Sequence, residues 1–225
     1  MRKKLIALLK ASHFPQTVAM TAALGICAWV TGVRDSNLAI FVAAVLCGQF
    51  SVGWMNDFVD ARLDNSVGRK EKPIVAGALD SASLKIPIAA AIVLVIALSF
   101  LSAGWVGGAA HIAAVASAQI YNIYLSRSIW SWLPYAVSFA LLPFFVAQAA
   151  SQTLWPIAPM VVMFALVGVI AHLLNALPDI EIDRQANRGG LAVSLGRKKA
   201  LALAAVLIGA ALALLVFLAG NAQVL

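Results

Sequence analysis

Ile86-Pro87-Ile88-Ala89-Ala90-Ala91-Ile92-Val93-Leu94-Val95-Ile96-Ala97-Leu98-Ser99-Phe100-Leu101 runs sixteen residues without a charge. A surface helix of a soluble protein carries one apolar stripe and one polar face, so a segment apolar all round belongs in a core or a membrane. With its flanks, the segment 84–103 reaches the roughly 20 residues needed to cross the hydrocarbon core. Outward from it the pattern repeats. Gly104 and Trp105 make a tight break, and 105–125 is again apolar. Upstream lie apolar runs at 15–33 and 37–55, and downstream at 131–149, 156–175 and 200–219. The reading is all-α: one polytopic transmembrane helical bundle over residues 1–225, with about seven spans. Pro156 and Pro159 open the sixth, where a first helical turn tolerates proline. The first span lies too deep in the chain, and too soon before another, to be a cleaved signal peptide.

Composition agrees. The 225 residues are 63% hydrophobic and 11% charged, against roughly 25% charged in soluble domains. The net charge of +7 invites a nucleic-acid reading, but the placement of the charges argues otherwise. Arg2, Lys3, Lys4 and Lys10 precede the first span. Arg62, Arg69, Lys70, Lys72 and Lys85 follow the second, Arg127 the fourth, and Arg184, Arg188, Arg197, Lys198 and Lys199 the sixth. Alternate loops thus hold every Lys and Arg except Arg34, and the positive-inside rule makes those loops, and the N-terminus, cytoplasmic. The partner implied by the basic balance is the bilayer, with no nucleic acid. Cys27 and Cys47 both sit within apolar runs and suggest neither a disulfide framework nor a thiolate metal site.

The acidic residues gather on the same side. The stretch Trp54-Met55-Asn56-Asp57-Phe58-Val59-Asp60-Ala61-Arg62-Leu63-Asp64 follows the second span. If that helix continues past the membrane surface, Asp57, Asp60 and Asp64 at i, i+3 and i+7 share one face, with Asn56 at its edge. Three like charges on one stripe repel unless a cation sits among them. Hard divalent ions take oxygen ligands, and Mg²⁺ uses one or two carboxylates plus waters and substrate phosphates. After the sixth span comes Asn175-Ala176-Leu177-Pro178-Asp179-Ile180-Glu181-Ile182-Asp183-Arg184. Asn175, Asp179 and Asp183 recur every four residues, although Pro178 would kink or unwind a helix there. Acidic residues in a cytoplasmic loop are usually just solvated. Two clusters, each opening on Asn and each spaced for one helical face, argue instead for metal–phosphate chemistry. Two such faces at one membrane level would hold two Mg²⁺ ions with a diphosphate between them and neutralise it as its C–O bond breaks.

Together, Asn56-Asp57-x-x-Asp60-x-x-x-Asp64 and Asn175-x-x-x-Asp179-x-x-x-Asp183 resemble the paired aspartate motifs of the UbiA superfamily of intramembrane prenyltransferases. The segments Gly68-Arg69-Lys70-Glu71-Lys72-Pro73 and Gly189-Gly190-Leu191-Ala192-Val193-Ser194-Leu195-Gly196 are similar to those that follow the two motifs, and the likeness runs from about Lys10 to Lys199. It implies that catalytic Asp57, Asp60, Asp179 and Asp183 bind two Mg²⁺ holding a polyprenyl diphosphate, with Asn56, Asp64 and Asn175 assisting. The prenyl tail would lie between helices, and an acceptor of unknown identity would capture the allylic cation at the cytoplasmic face. Relatives usually have nine spans; if a second subunit supplies the remaining two, the protein is a homo-oligomer. Relatives also carry a tyrosine and then a lysine that touches diphosphate at the end of the fourth span, where this chain has Tyr121 and Arg127. Arg127 offers a planar fork of donors in that place, or is an ordinary positive-inside anchor.

Further candidates are single residues. Lys10, His13 and Arg62 lie near enough to the first motif to reach a diphosphate. His172 precedes Asn175 by one turn, and His111 is deep in the fourth span, where an ionisable residue suggests function by default; a packed, hydrogen-bonded histidine is the plainer alternative for both. Phe50, Trp54, Phe139, Phe144 and Phe145 would shield a carbocation or simply pack. A terpene cyclase, or transfer of a phosphoribosyl group to a lipid phosphate, needs the same Mg²⁺ and leaving group. A CDP-alcohol phosphotransferase would carry its aspartates in one continuous motif. A cation-coupled transporter would place its site near the midplane on broken helices.

Overall fold

The computed structural model describes residues 2–151, 153–186 and 188–221. Among them every regular element is helical: α1 (Arg2–Ala11), α2 (Phe14–Val30), α3 (Asp35–Ser66), a 3₁₀ turn (Ser81–Leu84), α4 (Lys85–Ile120), a π-helical turn (Tyr121–Leu125), a second 3₁₀ turn (Ile129–Ser131), α5 (Trp132–Ala150), α6 (Ala158–Ala176), α7 (Ile180–Gln185) and α8 (Leu191–Gly220). Five helical stretches are long and apolar enough to cross a membrane: Asp35–Ser66, Ser81–Leu125, Ile129–Ala150, Ala158–Ala176 and Leu191–Gly220. The protein is an integral membrane helical bundle. Phe14–Val30 is a shorter apolar helix.

The chain divides into two compact units, Met1–Val115 with Phe145–Leu154, and Ala116–Phe144 with Trp155–Leu225. In the first unit α4 turns back on itself. Gly104 adopts φ 63° and ψ −165°, open to glycine because it lacks a Cβ. Twelve residues of straight helix would span roughly 18 Å, yet Ser99 Oγ and His111 Nδ1 lie 2.7 Å apart. A Cβ on Gly108 would meet the Phe100 ring at 2.5 Å, which shows how closely the two arms approach. The break expected at Gly104–Trp105 is therefore a hairpin. His111 packs within it, stacked on Phe145, which stacks in turn on Phe41. Its hydrogen-bond partner is the Ser99 hydroxyl.

The α3 helix has 32 residues, about 48 Å at 1.5 Å per residue, and so outruns a hydrocarbon core of roughly 30 Å. Its first half is apolar enough to span, and its last three turns carry the carboxylates onward without a break. Gly68, at φ 72°, then ends it in a Schellman motif: Arg69 N–H donates to Asp64 O (3.0 Å) and Gly68 N–H to Asn65 O (3.2 Å). This reversal brings the basic segment after α3 back along the helix. Its far end is anchored by Leu79, Leu84 and Ile88, which pack with Ala7 and Ala11 of α1 and against Trp54, Met55 and Phe58 of α3.

In the second unit, α6 packs along α8 around Leu173, Ile180, Ala192, Ala200 and Ala204. Gly168 lets α6 approach α5 closely: a Cβ there would stand 2.4 Å from Tyr135 O.

Candidate active site

In the first unit the site begins with a helix crossing. A Cβ on Gly53 would lie 2.4 Å from Ser12 O, so only glycine lets the α1–α2 turn rest on α3. Trp54 Nε1 donates to Leu8 O (2.9 Å) and fastens α1 to the same stretch. His13 sits in that turn with φ 53° and ψ 50°, a left-handed conformation that costs a non-glycine residue about 1–2 kcal/mol. One helical turn beyond Gly53 comes Asp57, and His13 Nε2 lies 3.2 Å from its Oδ1.

Asp57, Asp60 and Asp64 are all buried, at 2%, 5% and 2% exposure, on the one face that their spacing predicted. Asn56 Nδ2 donates to Asp60 Oδ2 (3.4 Å). Lys72, returned by the Gly68 reversal, hydrogen-bonds Asp57 Oδ1. Its Nζ also lies 3.4 Å from Asn56 Oδ1, 3.3 Å from His13 Nε2 and 3.8 Å from Asp64 Oδ2. Arg69 Nε is 3.7 Å from Asp64 Oδ1. The Lys72 ammonium and the Arg69 guanidinium thus face these carboxylates, and Asp57 Oδ2 is buried without a hydrogen-bond partner. Buried polar atoms are nearly always satisfied, so an orphaned carboxylate oxygen among like charges is suited to ligate a cation.

Among the described residues no three His, Cys, Asp or Glu side chains converge to hold a metal by themselves. Mg²⁺ does not need three, because it uses one or two carboxylates and completes its shell with water and phosphate oxygens. The oxygen-only donor set of Asn56, Asp57, Asp60 and Asp64 and the orphaned Asp57 Oδ2 fit that ion. Lys10 and Arg62 are exposed.

In the second unit the aspartates lie on a broken helix. α6 ends at Ala176, Leu177-Pro178-Asp179 form a turn, and α7 begins at Ile180. Leu177 keeps helical dihedrals (φ −55°, ψ −42°), but Pro178 has no N–H to give the Leu174 carbonyl and its ring crowds that carbonyl, which accounts for the break. Asp179 and Asp183 stay one turn apart, since Asp183 N–H donates to Asp179 O (2.8 Å). Both are half-buried, and Arg188 Nη1 stands 3.8 Å from Asp183 Oδ1. Glu181 is exposed and pairs with Arg184 instead. Asn175 remains on α6, where its side chain hydrogen-bonds the Tyr135 phenol. Its membership of a single continuous face with Asp183 is lost.

His172 is buried beside that asparagine, with the Tyr135 ring centroid at 5.0 Å and that of Tyr121 at 5.9 Å. Its Nε2 is 3.0 Å from Ser131 Oγ, which also accepts from Leu191 N–H (3.0 Å). Ser131 thus ties the start of α5 to α6 and α8 at once. No motif announced this. Arg127 is exposed, and its carbonyl would stand 2.3 Å from a Cβ on Gly189. Tyr121 opens the π-helical turn, a type often found at functional sites. Replacing Ser131 by alanine strands the Leu191 N–H and the His172 ring nitrogen. The expected loss is about 1–3 kcal/mol, read as a fall of roughly 2–10 °C in the unfolding midpoint of the purified protein. An unchanged midpoint would show that the junction bears no strain.

Three comparisons bear on this arrangement. Six solved chains match the fold. A UbiA homologue from Archaeoglobus fulgidus bound to DMAPP and Mg²⁺ superposes with a TM-score of 0.76 at 13% identity, covering 93% of this chain and 76% of that one. The apo structure of a UbiA homologue from Aeropyrum pernix K1 gives 0.73 at 20% identity, over 93% and 79%. A digeranylgeranylglyceryl phosphate synthase gives 0.68 at 16% identity, over 95% and 76%. At these identities the likeness is one of fold. No curated protein sequence matches significantly. The sequence profile of the UbiA prenyltransferase family, however, matches residues 18–225, a span that includes both aspartate clusters, and the chain belongs to that family.

Proposed function

We propose that the chain is a Mg²⁺-dependent intramembrane prenyltransferase that ionises a polyprenyl diphosphate and passes the prenyl group to a small acceptor. The observation that carries this reading is the α3 face: three buried carboxylates, one with an orphaned oxygen, in a chain of this family. Structures of UbiA homologues bound to DMAPP or GPP with Mg²⁺ support the donor class and the metal.

When bound, Mg²⁺ would neutralise the charge that builds on the diphosphate as the C–O bond breaks. Asp57 and Asp60, with Asn56 and Asp64, would hold one ion on α3; Asp179 and Asp183, with Asn175, would hold a second after α6. The buried α3 carboxylates are pre-oriented by the helix and by the Asn56–Asp60 bond, so little reorganisation is needed at the moment of reaction. Lys10, Arg62, Tyr121, Arg127 and His172 are the remaining residues proposed to meet substrate.

The proposed topology has seven crossings: α2, α3, the two arms of α4, α5, α6 and α8. The hairpin at Gly104 supports counting α4 twice. The Lys and Arg distribution supports a cytoplasmic N-terminus and a site at the cytoplasmic face.

The test is pyrophosphate release by the purified protein from geranyl, farnesyl and geranylgeranyl diphosphates. Release should require Mg²⁺ and stop on chelation, and the organic product separates transfer from cyclisation. Absence of release from every donor, with candidate acceptors present, would overturn the proposal.

A further inference from the structure

The Lys72 ammonium does more than balance a charge. It stands among Asp57 Oδ1, Asn56 Oδ1, His13 Nε2 and, more loosely, Asp64 Oδ2, the kind of polar shell that a divalent ion takes. His13 Nε2 can accept from Lys72 or, when protonated, donate to Asp57, but not both at once. The Lys72 side chain is 14% exposed, so its charge is partly desolvated and held by the carboxylates. It nonetheless leaves Asp57 Oδ2 unsatisfied: one ammonium does not complete the cluster. Lys72 also sits outside the helices, in the turns between Gly68 and Leu79, next to the exposed Lys70 and Glu71. Segments of that kind open at low free energy compared with packed helices.

We propose that Lys72 is a tethered cation that occupies the first carboxylate cluster while no metal is bound, and that it must leave Asp57 before a divalent ion can enter. This rests on the reading of Asp57, Asp60 and Asp64 as metal-binding residues. The consequence is a site that discriminates against free metal. A lone ion has to displace an ammonium already bonded to Asp57, whereas an ion arriving with a diphosphate brings further ligands of its own. An apparent affinity is weakened by the fraction of time the competent state is populated. If the latch is closed nine-tenths of the time, removing it tightens metal binding roughly tenfold.

The experiment measures Mn²⁺ binding to the full chain in detergent, without diphosphate, by the loss of the free-ion electron paramagnetic resonance signal. Lys72→Met should bind Mn²⁺ roughly tenfold more tightly than the wild type, and Lys72→Arg, which keeps the charge, should bind as the wild type does. A second measurement needs no variant: acylation of Lys72 by an amine reagent, followed by mass spectrometry, should rise when Mn²⁺ is added to the wild type. If Lys72→Met binds no more tightly, or Lys72 reactivity is indifferent to Mn²⁺, while wild-type protein still releases pyrophosphate with Mg²⁺, the latch is wrong and the proposed function stands. No Mn²⁺ binding by any of the three chains, together with no pyrophosphate release, overturns both.

Discussion

Alanine at Asp60 or at Asp179 lowers Mg²⁺-dependent pyrophosphate release by about two to three orders of magnitude, the range seen when one preorganised group facing a developing charge is removed. The two variants probe different environments. Asp60 is 5% exposed on an intact helix and takes a hydrogen bond from Asn56. Asp179 is half-buried at the head of the short α7, and its carbonyl accepts from Asp183 N–H whatever its side chain is. Asp179→Ala should therefore leave the unfolding midpoint almost unmoved while removing activity. Asp60→Ala relieves like-charge crowding with Asp57 and Asp64 and should not lower the midpoint either. Activity falling with the fold intact is the expected pairing. Activity within about threefold of wild type in both variants would remove the aspartates from the chemistry, since even an outer-shell partner of a metal typically costs tenfold or more.

Much of this arrangement is written in local pattern. The i, i+3, i+7 spacing of Asp57, Asp60 and Asp64 predicts one face, and an unbroken α3 delivers it. Gly104 followed by Trp105 predicts a tight break, and the chain reverses there. Pro178 predicts trouble in the second motif, and the helix stops two residues before it. What pattern cannot show is contact between distant residues. Lys72 reaches Asp57 because Gly68 reverses the chain, and nothing in Gly-Arg-Lys-Glu-Lys-Pro distinguishes Lys72 from the exposed Lys70. His13 could be placed near the first motif, but not its left-handed backbone or its partner. Ser131 is one serine among many in an apolar chain, and its double role depends on where α6 and α8 happen to meet it. Gly53 reads as one more small residue in a membrane helix, and the sequence holds no sign of the carbonyl pressed against it.

That carbonyl makes Gly53→Ala the most damaging single methyl in the first unit. The added Cβ would sit 2.4 Å from Ser12 O, 2.6 Å from Ser12 C and 2.9 Å from Ser12 Cα. All three are backbone atoms, so no rotamer change can relieve the clash. The α1–α2 turn has to lift by nearly an ångström, and it cannot do so alone. Ser12 O accepts from Thr17 Oγ1 (2.8 Å), and Trp54 holds Leu8 O from the next position along α3. Overpacking of this kind costs about 3 kcal/mol at the upper end of the usual range, and the lift also draws His13 away from Asp57. Gly209 supplies the matched control, because a Cβ there meets nothing within 4 Å. In the interior of α8, Gly209→Ala should stabilise by about 0.5–1 kcal/mol through helix propensity alone. Thermal unfolding of the two variants in one detergent should therefore move in opposite directions from the wild type. Equal midpoints would mean that α1 and α2 do not rest on α3 at Gly53, and the placement of His13 beside the first carboxylate would fall with that contact.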